Sequence, residues 1–398
     1  MEIRSVTFMM DPEGALERVA RAGEGARRWF RQAGFSLQTI RLATTPFPSW
    51  WRGRDGVTSY LEGYVGAGFD YVAIGPVRLD DDPSFLGELP PLIGAHEELF
   101  ASAEIASTDG RIDTGRVREV AELVQALSQI RPDGFANLYF TATANCHPGS
   151  PFFPVSYHGG GPAAFAVAVE AADLAVGAYE GAGSLPEAQE RLVEAIEREA
   201  GRVVAVAARI SQEFDLVFGG IDFSLAPYPE VARSLGTAIE ALGVPCIGGH
   251  GSLFAAALLA EGVDRANFTR CGFSGLMFPV LEDAILARRA AEGVLTVNDL
   301  LLYSAVCGAG LDTVPLPGDA SADELTALLL DLAALAVRLD KPLTARLMPL
   351  PGLGAGDRVA FDFPYFAASR VMALRGMGLG GLMGGQSRLE LWARPRGG

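Results

Sequence analysis

The chain has 398 residues, of which 49% are hydrophobic and 20% charged, so a buried core can form and disorder is excluded. Its 32 Lys and Arg residues against 48 Asp and Glu residues give a formal net charge of −16. Such a surface repels phosphodiester backbones and anionic lipid, which excludes nucleic-acid and membrane partners and favours a small-molecule ligand.

The N-terminal half alternates between predicted strands and helices. A strand is predicted over 3–9, a helix over 12–32 that Gly34 is placed to end, and a second strand over 35–42. Strand–helix alternation builds a largely parallel sheet with helices outside, so the sequence predicts an α/β fold. The pattern continues with helices over 57–65 and 116–129 and strands over 71–74, 101–106 and 135–143.

The C-terminal half is more helical. An apolar stretch over 163–175 is predicted to be helical, and three Ser or Thr residues have an acidic residue three positions later, the pattern of a capping box. These pairs are Ser184 with Glu187, Thr296 with Asp299, and Ser321 with Glu324. Short strands are predicted between the helices, over 216–221, 244–247, 272–277 and 343–347.

The whole chain, residues 1–398, is predicted to be one domain. It contains no repeat of fixed period and no low-complexity linker, and its Pro/Gly-rich segments at 316–318 and 350–356 are interpreted as loops. No signal peptide and no apolar run of 18 residues occurs, and the four cysteines show no CxxC spacing. These features predict a cytoplasmic protein, and a homo-oligomer is left open.

Polar residues concentrate in loops that follow predicted strands. The loop 146–161 is rich in Pro and Gly and contains His158, while Asp222 and Ser224 follow another strand. Ligands of α/β folds bind at the carboxyl ends of strands, so these loops are candidate site segments. A glycine-rich loop before a helix adds Gly249, His250, Gly251 and Ser252, although close backbone packing is an equally simple reason for glycines there.

Four residues are the candidate catalytic set: His158, Glu170, Asp222 and His250. The two histidines are flanked by glycines that permit close approach of a ligand, and Glu170 lies in an apolar stretch where a buried carboxylate requires a partner. Asp222 has the alternative role of capping a turn, and Glu170 that of a rim residue in water. Imidazole and carboxylate groups serve as general acid and base, or His158, Asp222 and His250 hold one divalent metal ion.

Cations at predicted strand ends would hold an anionic substrate. These are Arg41, Lys341 and Arg346, and Asp312 is a further candidate for substrate binding. Cys307 is a candidate thiol, but the predicted helix over 300–307 would place it at a helix C-terminus, which raises the pKa of a thiol and disfavours a nucleophilic role.

Several sequence segments resemble those of the uncharacterised family called domain of unknown function 711. They are the segments 219–227, 248–251, 275–279 with Glu282 and Asp283, 304–315 and 341–343, and the resemblance runs from Arg41 to about Lys341. The fold of this family is similar to the barrel of pyruvate formate-lyase and other glycyl-radical enzymes. The resemblance therefore implies a large α/β barrel of about ten strands, with its pocket inside and helices outside.

The resemblance supplies no reaction. Glycyl-radical enzymes carry their radical in a C-terminal Arg-Val-x-Gly-Tyr type loop, whereas the segment 370–374 here has neither glycine nor tyrosine in place, so we expect no glycyl radical. Two hypotheses remain: a non-radical enzyme that acts on a small anionic metabolite by acid–base or metal-assisted chemistry, and a small-molecule sensor without catalysis.

Overall fold

The computed structural model describes residues 1–306 and 308–394, in which 13 strands and 11 α-helices alternate along the chain. The strands are β1 (Glu2–Met10), β2 (Leu37–Thr44), β3 (Tyr71–Val77), β4 (Leu99–Ala106), β5 (Arg111–Asp113), β6 (Phe140–Ala144), β7 (Ala164–Glu170), β8 (Val217–Asp222), β9 (Gly310–Pro317), β10 (Leu343–Leu350), β11 (Arg358–Val359), β12 (Ser369–Arg370) and β13 (Arg388–Glu390). The helices are α1 (Leu16–Gln32), α2 (Gly53–Gly66), α3 (Leu89–Ala95), α4 (Thr114–Ser128), α5 (Ala172–Tyr179), α6 (Leu185–Phe214), α7 (Leu235–Ala241), α8 (Ser252–Arg265), α9 (Ala284–Ala291), α10 (Val297–Ser304) and α11 (Ala322–Leu339).

One large, mostly parallel sheet contains 11 of these strands, which confirms the α/β prediction. Its main path runs β8-β7-β1-β2-β3-β4-β6-β10-β9, with β5 and β13 attached beside β4. Two junctions of this main path are antiparallel, β1 with β7 and β6 with β10. The sheet therefore has two sets of parallel strands of opposite direction, one containing β1, β2, β3, β4 and β6 and the other containing β7, β8, β9 and β10.

The segment 270–279 contacts both edges of this path. Isolated bridges join it to β8 at Ile221 and to the following Leu225, and a third bridge joins Pro279 to Asp312 of β9. The strand predicted over 272–277 is therefore present only as separate pairings. Its two glycines weaken a strand, and Ser274 has a φ of +42°, which interrupts the extended backbone.

The helix predicted over 163–175 is wrong in its first half. Residues 164–170 form β7, and only the residues from Ala172 onward form helix α5. Because β7 is buried on both faces, its sequence is a continuous apolar run, and such a run cannot be distinguished from a buried helix by periodicity. Glu170 consequently ends a strand and does not lie within a helix.

Two further boundaries differ from the prediction. Residues 310–317 form β9 and so include residues 316 and 317 of the predicted loop 316–318, because prolines are compatible with a strand at the end of a sheet path. Residues 244–247 are not a strand. Capping boxes begin α10 at Thr296 and α11 at Ser321 as predicted, whereas at α6 only Ser184 caps the helix and Glu187 accepts from the N–H of Gly183.

The connection between β6 and β7 crosses the inner face of the sheet. We call residues 146–157 the inner loop. Its middle, at Phe152 and Phe153, is buried, and the hydroxyl of Thr7 on β1 donates to the carbonyl oxygen of Pro151 at 3.2 Å. The inner loop thus brings two aromatic rings against the strands from inside.

The helices lie around this sheet and enclose its core. Most buried hydrophobic residues of the described chain form one continuous cluster, and a smaller second cluster includes Cys146 and Phe152 of the inner loop. Within residues 1–306 and 308–394, no helix has the combination of length and apolar character that crossing a membrane requires.

Candidate functional site

A cavity of about 100 Å³ lies between the inner face of the sheet and the inner loop. Its wall combines four charged side chains with a group of aromatic ones, contributed by strands and by two loops. The charged residues are Arg4, Arg41, Glu282 and Arg346. The aromatic residues are Tyr71, Phe100, Tyr139, Phe152, Phe153, Phe363 and Tyr365.

The carboxylate of Glu282 joins two distant strands across this cavity. One of its oxygens accepts from Arg4 on β1, and the other accepts from Nη2 of Arg346 on β10 at 3.2 Å. Five strand spacings separate β1 from β10 along the sheet, which is about 24 Å in a flat sheet at about 4.8 Å per spacing. The sheet must therefore curve strongly, so that both arginines face one carboxylate.

Asp283, the residue after Glu282, fixes this position. Its side chain accepts from the N–H groups of Ile285 and Leu286 at 2.8 and 3.0 Å and so caps α9. The same carboxylate accepts from the hydroxyl of Ser234 at 2.6 Å and from the N–H groups of Leu235 and Gly236 at 2.7 and 3.2 Å, at the start of α7. One buried carboxylate thus joins the beginnings of two helices, and it fixes the backbone that carries Glu282.

A β-bulge presents Asp312 to Arg346. In the pairing of β10 with β9, Arg346 alone lies opposite Asp312 and Thr313, since the flanking pairs are Ala345 with Leu311 and Leu347 with Val314. Thr313 has a φ of +43°, which is an outlier for a β-branched residue. The bulge directs the Asp312 carboxylate to Nε of Arg346, at 2.6 Å.

The two carboxylates that share Arg346 have pKa values displaced in opposite directions. Burial alone would raise the pKa of Glu282, but the charges of Arg4 and Arg346 outweigh burial and hold this pKa below its ordinary value. Burial and the nearby charge of Glu282 raise the pKa of Asp312, against the opposing effect of Arg346. Since the groups interact, they titrate as a pair in which Asp312 is protonated first.

Arg41, predicted to bind substrate, lies in the cavity wall on β2. Its Nε donates to the hydroxyl of Thr39 at 2.8 Å, and its guanidinium carbon lies 5.1 Å from the ring centroid of Phe153 and 5.8 Å from that of Tyr71. It forms no ion pair with a carboxylate of the described chain. Burial and the charges of Arg4 and Arg346 lower the pKa of Arg41 to about 9, so it remains a cation at neutral pH.

Glu170 and His158 lie at opposite ends of the sheet. Glu170 pairs with Arg233 and accepts from the amide of Gln38, near the start of β2. His158, in contrast, donates its backbone N–H to the carbonyl oxygen of Thr44 at the end of β2. Six residues of extended strand correspond to roughly 20 Å at about 3.3 Å per residue, so the structure does not bring these two candidates together.

Asp222 connects the end of β8 to the segment 270–279. Its carboxylate accepts from the hydroxyl of Ser224 and from the N–H groups of Phe273 and Ser274, each at 3.0 Å. Ser224 in turn accepts from the N–H of Gly275 at 3.4 Å. These contacts favour a structural role for both candidates, because their polar atoms are engaged in joining two backbone segments.

Replacing Asp222 with alanine is expected to lower the free energy of unfolding by about 2 kcal/mol, because two buried N–H groups lose their acceptor. Chemical denaturation measures this loss, and amide hydrogen exchange should accelerate at Phe273 and Ser274. Asp82→Ala is the matched control, since Asp82 is exposed and accepts one backbone bond, from Ser84. Equal losses in the two variants would contradict the structural role of Asp222.

In the glycine-rich loop before α8, a hydrogen bond joins two residues of the loop to each other. The hydroxyl of Ser252 donates to the carbonyl oxygen of Gly249 at 2.8 Å, and Gly251, with a φ of +100°, provides the N-cap of α8. His250 is exposed, and α8 packs against α6 in the helical layer. None of these four predicted residues is among those that line the cavity.

The remaining candidates have separate positions. Lys341 precedes β10, and its ammonium donates to the carbonyl oxygen of Ser304 at 3.2 Å. Cys307 lies outside the described residues, and α10 ends at Ser304, before that thiol. In residues 1–306 and 308–394, no group of three His, Cys, Asp or Glu side chains is arranged to hold a metal ion.

Sequence reasoning missed Arg4 and Glu282, both of which line the cavity. The signal for Arg4 was present, because it lies within a predicted strand and a charged residue facing a core requires a partner. Glu282 carries a similar signal, because it directly follows an apolar segment. No local sequence pattern predicts the aromatic wall of the cavity, because its residues are spread along the chain from Tyr71 to Tyr365.

Comparison with known proteins shows related sequences of unassigned activity. A family model described as "Uncharacterised ACR (DUF711)" matches residues 13–362. A UPF0210 protein from Pyrobaculum aerophilum is 37% identical over 287 residues, which cover 69% of this chain and 62% of that relative. A UPF0210 protein from Pyrobaculum arsenaticum is 36% identical over 323 residues, 78% of this chain and 68% of the relative.

The similarity also extends to bacteria. A UPF0210 protein from Clostridium botulinum strain Alaska E43 is 29% identical over 298 residues, 70% of this chain and 64% of the relative. The chain thus spans less than two thirds of the length of the P. aerophilum and C. botulinum relatives.

Proposed function

The chain belongs to the family described as "Uncharacterised ACR (DUF711)", and we propose that its cavity binds a small anionic metabolite and carries out acid–base chemistry on it. The observation that supports this proposal is Arg41, a partly buried guanidinium that faces the cavity without a carboxylate partner in the described chain. A buried charge is costly unless it is paired, and an anionic ligand would supply the missing partner.

The charges around the cavity support the same proposal. Three guanidinium groups, those of Arg4, Arg41 and Arg346, face two carboxylates, those of Glu282 and Asp312. The two carboxylates are engaged with Arg4 and Arg346, which leaves the charge of Arg41 in excess. In a partly buried site, this excess attracts an anion more strongly than the same charge does at the surface.

The coupled pair of Glu282 and Asp312 supplies the acid–base function in this proposal. The pKa values of these two carboxyl groups are displaced in opposite directions, so the pair takes up its first proton on Asp312 and leaves Glu282 as the carboxylate that lines the cavity. In this proposal Glu282 accepts a proton from the bound molecule, which becomes its conjugate base. The same proton returns from Glu282 to the product or passes to solvent water, so the step balances without any change at Asp312.

We also propose that the segment 270–279 closes the sheet into a barrel similar to that of pyruvate formate-lyase. Support comes from its bridges to both β8 and β9, and from the strong curvature that the contacts of Glu282 require. With this segment counted, each direction would have five strands, giving the ten of the predicted barrel. A closed sheet would leave the cavity accessible only from its ends.

The substitution Arg41→Met tests the binding proposal. Thermal shift with a panel of small carboxylates, sulfate and phosphate should identify anions that raise the melting temperature of the wild-type protein by mass action. In Arg41→Met, the affinity for these anions should fall about 100-fold, because a charge-assisted hydrogen-bonded pair is lost. Its unliganded melting temperature should not fall, since the substitution removes a partly buried charge that has no carboxylate partner in the described chain.

A matched control is Arg209→Met, because Arg209 is exposed and stacks on Trp29 at 4.3 Å without facing the cavity. This control should retain anion binding, and Arg41→Lys should retain part of it. If no anion stabilises the wild-type protein in a manner that depends on Arg41, the binding proposal is wrong.

A measurement of ligand turnover distinguishes the proposed enzyme from the alternative, a sensor without catalysis. The best anion should be incubated with wild-type protein and with Glu282→Gln, and its conversion followed by nuclear magnetic resonance, with metal analysis of the same preparations. Turnover in the wild-type protein that Glu282→Gln abolishes while anion binding remains would support the acid–base proposal. Binding without turnover under any tested condition would support the sensor and contradict the enzyme.

A further inference from the structure

We infer that the ligand of this cavity is a short monocarboxylate, held end-on by Nη1 and Nη2 of Arg41 with its apolar body against the aromatic wall. The inference rests on the proposed function, because it requires that the cavity binds an anion, and it adds the chemical class of that anion. It is supported by the orientation of Arg41, by the fixed carboxylate of Glu282, and by the size and lining of the cavity.

The orientation of Arg41 leaves one edge of its guanidinium for a ligand. Nε donates to the hydroxyl of Thr39, and this hydroxyl donates to the carbonyl oxygen of Arg4 at 3.0 Å, so Thr39 is held in place. Neither Nη1 nor Nη2 of Arg41 forms a hydrogen bond with a described residue. Thr39 is therefore a positioning residue that directs the two terminal nitrogens of Arg41 as a pair.

The rings beside Arg41 favour a planar partner. The faces of Phe153 and Tyr71 contact the guanidinium, which keeps its plane in a fixed orientation. The edge formed by Nη1 and Nη2 lies in this plane and matches the two coplanar oxygens of a carboxylate, with two parallel hydrogen bonds. The site thus has the geometry of a carboxylate clamp.

Glu282 selects against a second negative charge. It lines the same cavity, and Arg4 and Arg346 hold it ionised by lowering its pKa. These two guanidinium groups are already engaged, so a dicarboxylate or phosphate dianion would place its second charge near Glu282 without a free cation to pair with it. Uncompensated like charge in a site of low dielectric is strongly unfavourable.

Size and lining define the rest of the ligand. The cavity has about 100 Å³, less than the roughly 150 Å³ cavity that holds benzene in another protein, so the apolar body should have fewer than about six carbon atoms. Aromatic side chains and the methyl group of Ala168 form the wall beyond Arg41. A short apolar chain would replace water there and gain from burial.

Isothermal titration calorimetry with straight-chain acids tests the inference on the wild-type protein. Affinity should rise about three- to fourfold for each added methylene group from acetate to butanoate, and it should fall again at octanoate. Malonate, succinate and inorganic phosphate should bind at least tenfold more weakly than butanoate. Arg41→Met should weaken the binding of every acid about 100-fold.

The variant Ala168→Leu tests the size limit, because the larger side chain shortens the cavity. The preferred acid should shift to a shorter chain in Ala168→Leu and stay unchanged in the control Ala205→Leu, where the substituted residue is exposed on α6. If Ala168→Leu fails to fold, the chain-length series on the wild-type protein still decides the size limit.

The outcomes separate the two proposals. If dianions bind as tightly as monocarboxylates, and both depend on Arg41, the inferred class is wrong while the anion-binding function stands. Affinity that is independent of chain length would overturn the inference in the same way. If no acid or phosphate binds in an Arg41-dependent manner at millimolar concentration, both the inference and the proposed function are wrong.

Discussion

Replacing Asp283 with alanine is expected to lower the free energy of unfolding by about 3 kcal/mol, because one carboxylate caps two helices. The loss of a single N-cap costs about 1 kcal/mol, and Asp283 accepts from four backbone N–H groups at α7 and α9 as well as from the hydroxyl of Ser234. Because the site is fully buried, water cannot replace the lost acceptor without rearrangement. Urea denaturation with unchanged m-value would measure this loss.

Ser321→Ala provides the comparison for a single exposed cap, since Ser321 begins only α11. Its expected loss is about 1 kcal/mol. A loss in Asp283→Ala no larger than that in Ser321→Ala would contradict the role of Asp283 as a shared cap. Asp283→Ala should also weaken anion binding, because the backbone that carries Glu282 would lose its fixed position.

Replacing Glu282 with alanine is expected to lower the free energy of unfolding by about 4 kcal/mol. Removal of this carboxylate leaves the guanidinium of Arg4 without its ion-pair partner and that of Arg346 with only Asp312. Breaking a buried ion pair by removing one partner typically costs about 3 to 5 kcal/mol, because an uncompensated charge stays buried. Chemical denaturation at neutral pH would measure the loss.

A double-mutant cycle with Arg4→Met isolates the charge effect from the loss of packing. Because Glu282 is the one ion-pair partner of Arg4 among residues 1–306 and 308–394, the double variant leaves no unpaired charge at that position. It should be more stable than the sum of the single losses predicts, by about 1 to 3 kcal/mol. Strict additivity in this cycle would show that the pair is not coupled and would remove the electrostatic basis of the site.

The sequence was sufficient to predict the α/β class. Strand–helix alternation in the N-terminal half identifies β1, α1 and β2, because each has its own hydrophobic period. Arg41 and Arg346, predicted as strand-end cations that bind an anionic substrate, both line the cavity, and Asp312 was predicted as a further substrate-binding residue. In the structure, Arg346 and Asp312 form an ion pair with each other.

The arrangement of the other candidates could not be predicted from local pattern. His158 follows β6 and Glu170 ends β7, and both lie after a strand in the sequence. The two antiparallel junctions reverse the second set of strands, so the carboxyl ends of one set lie beside the amino ends of the other. Which strands reverse is decided by long-range pairing, and neither hydrophobic period nor glycine content encodes it.

The charged groups and two of the aromatic groups of the cavity come from different kinds of backbone segment. Strands carry the three arginines, Arg4, Arg41 and Arg346. Phe152 and Phe153, which also line the cavity, belong instead to the inner loop that connects two strands. Connections accept sequence change far more readily than the strands of a central sheet. Ligand size could therefore diverge between relatives through Phe152, with Phe153 kept because it orients Arg41. A library randomised at Phe152 would then sample cavity depths with the strands unchanged.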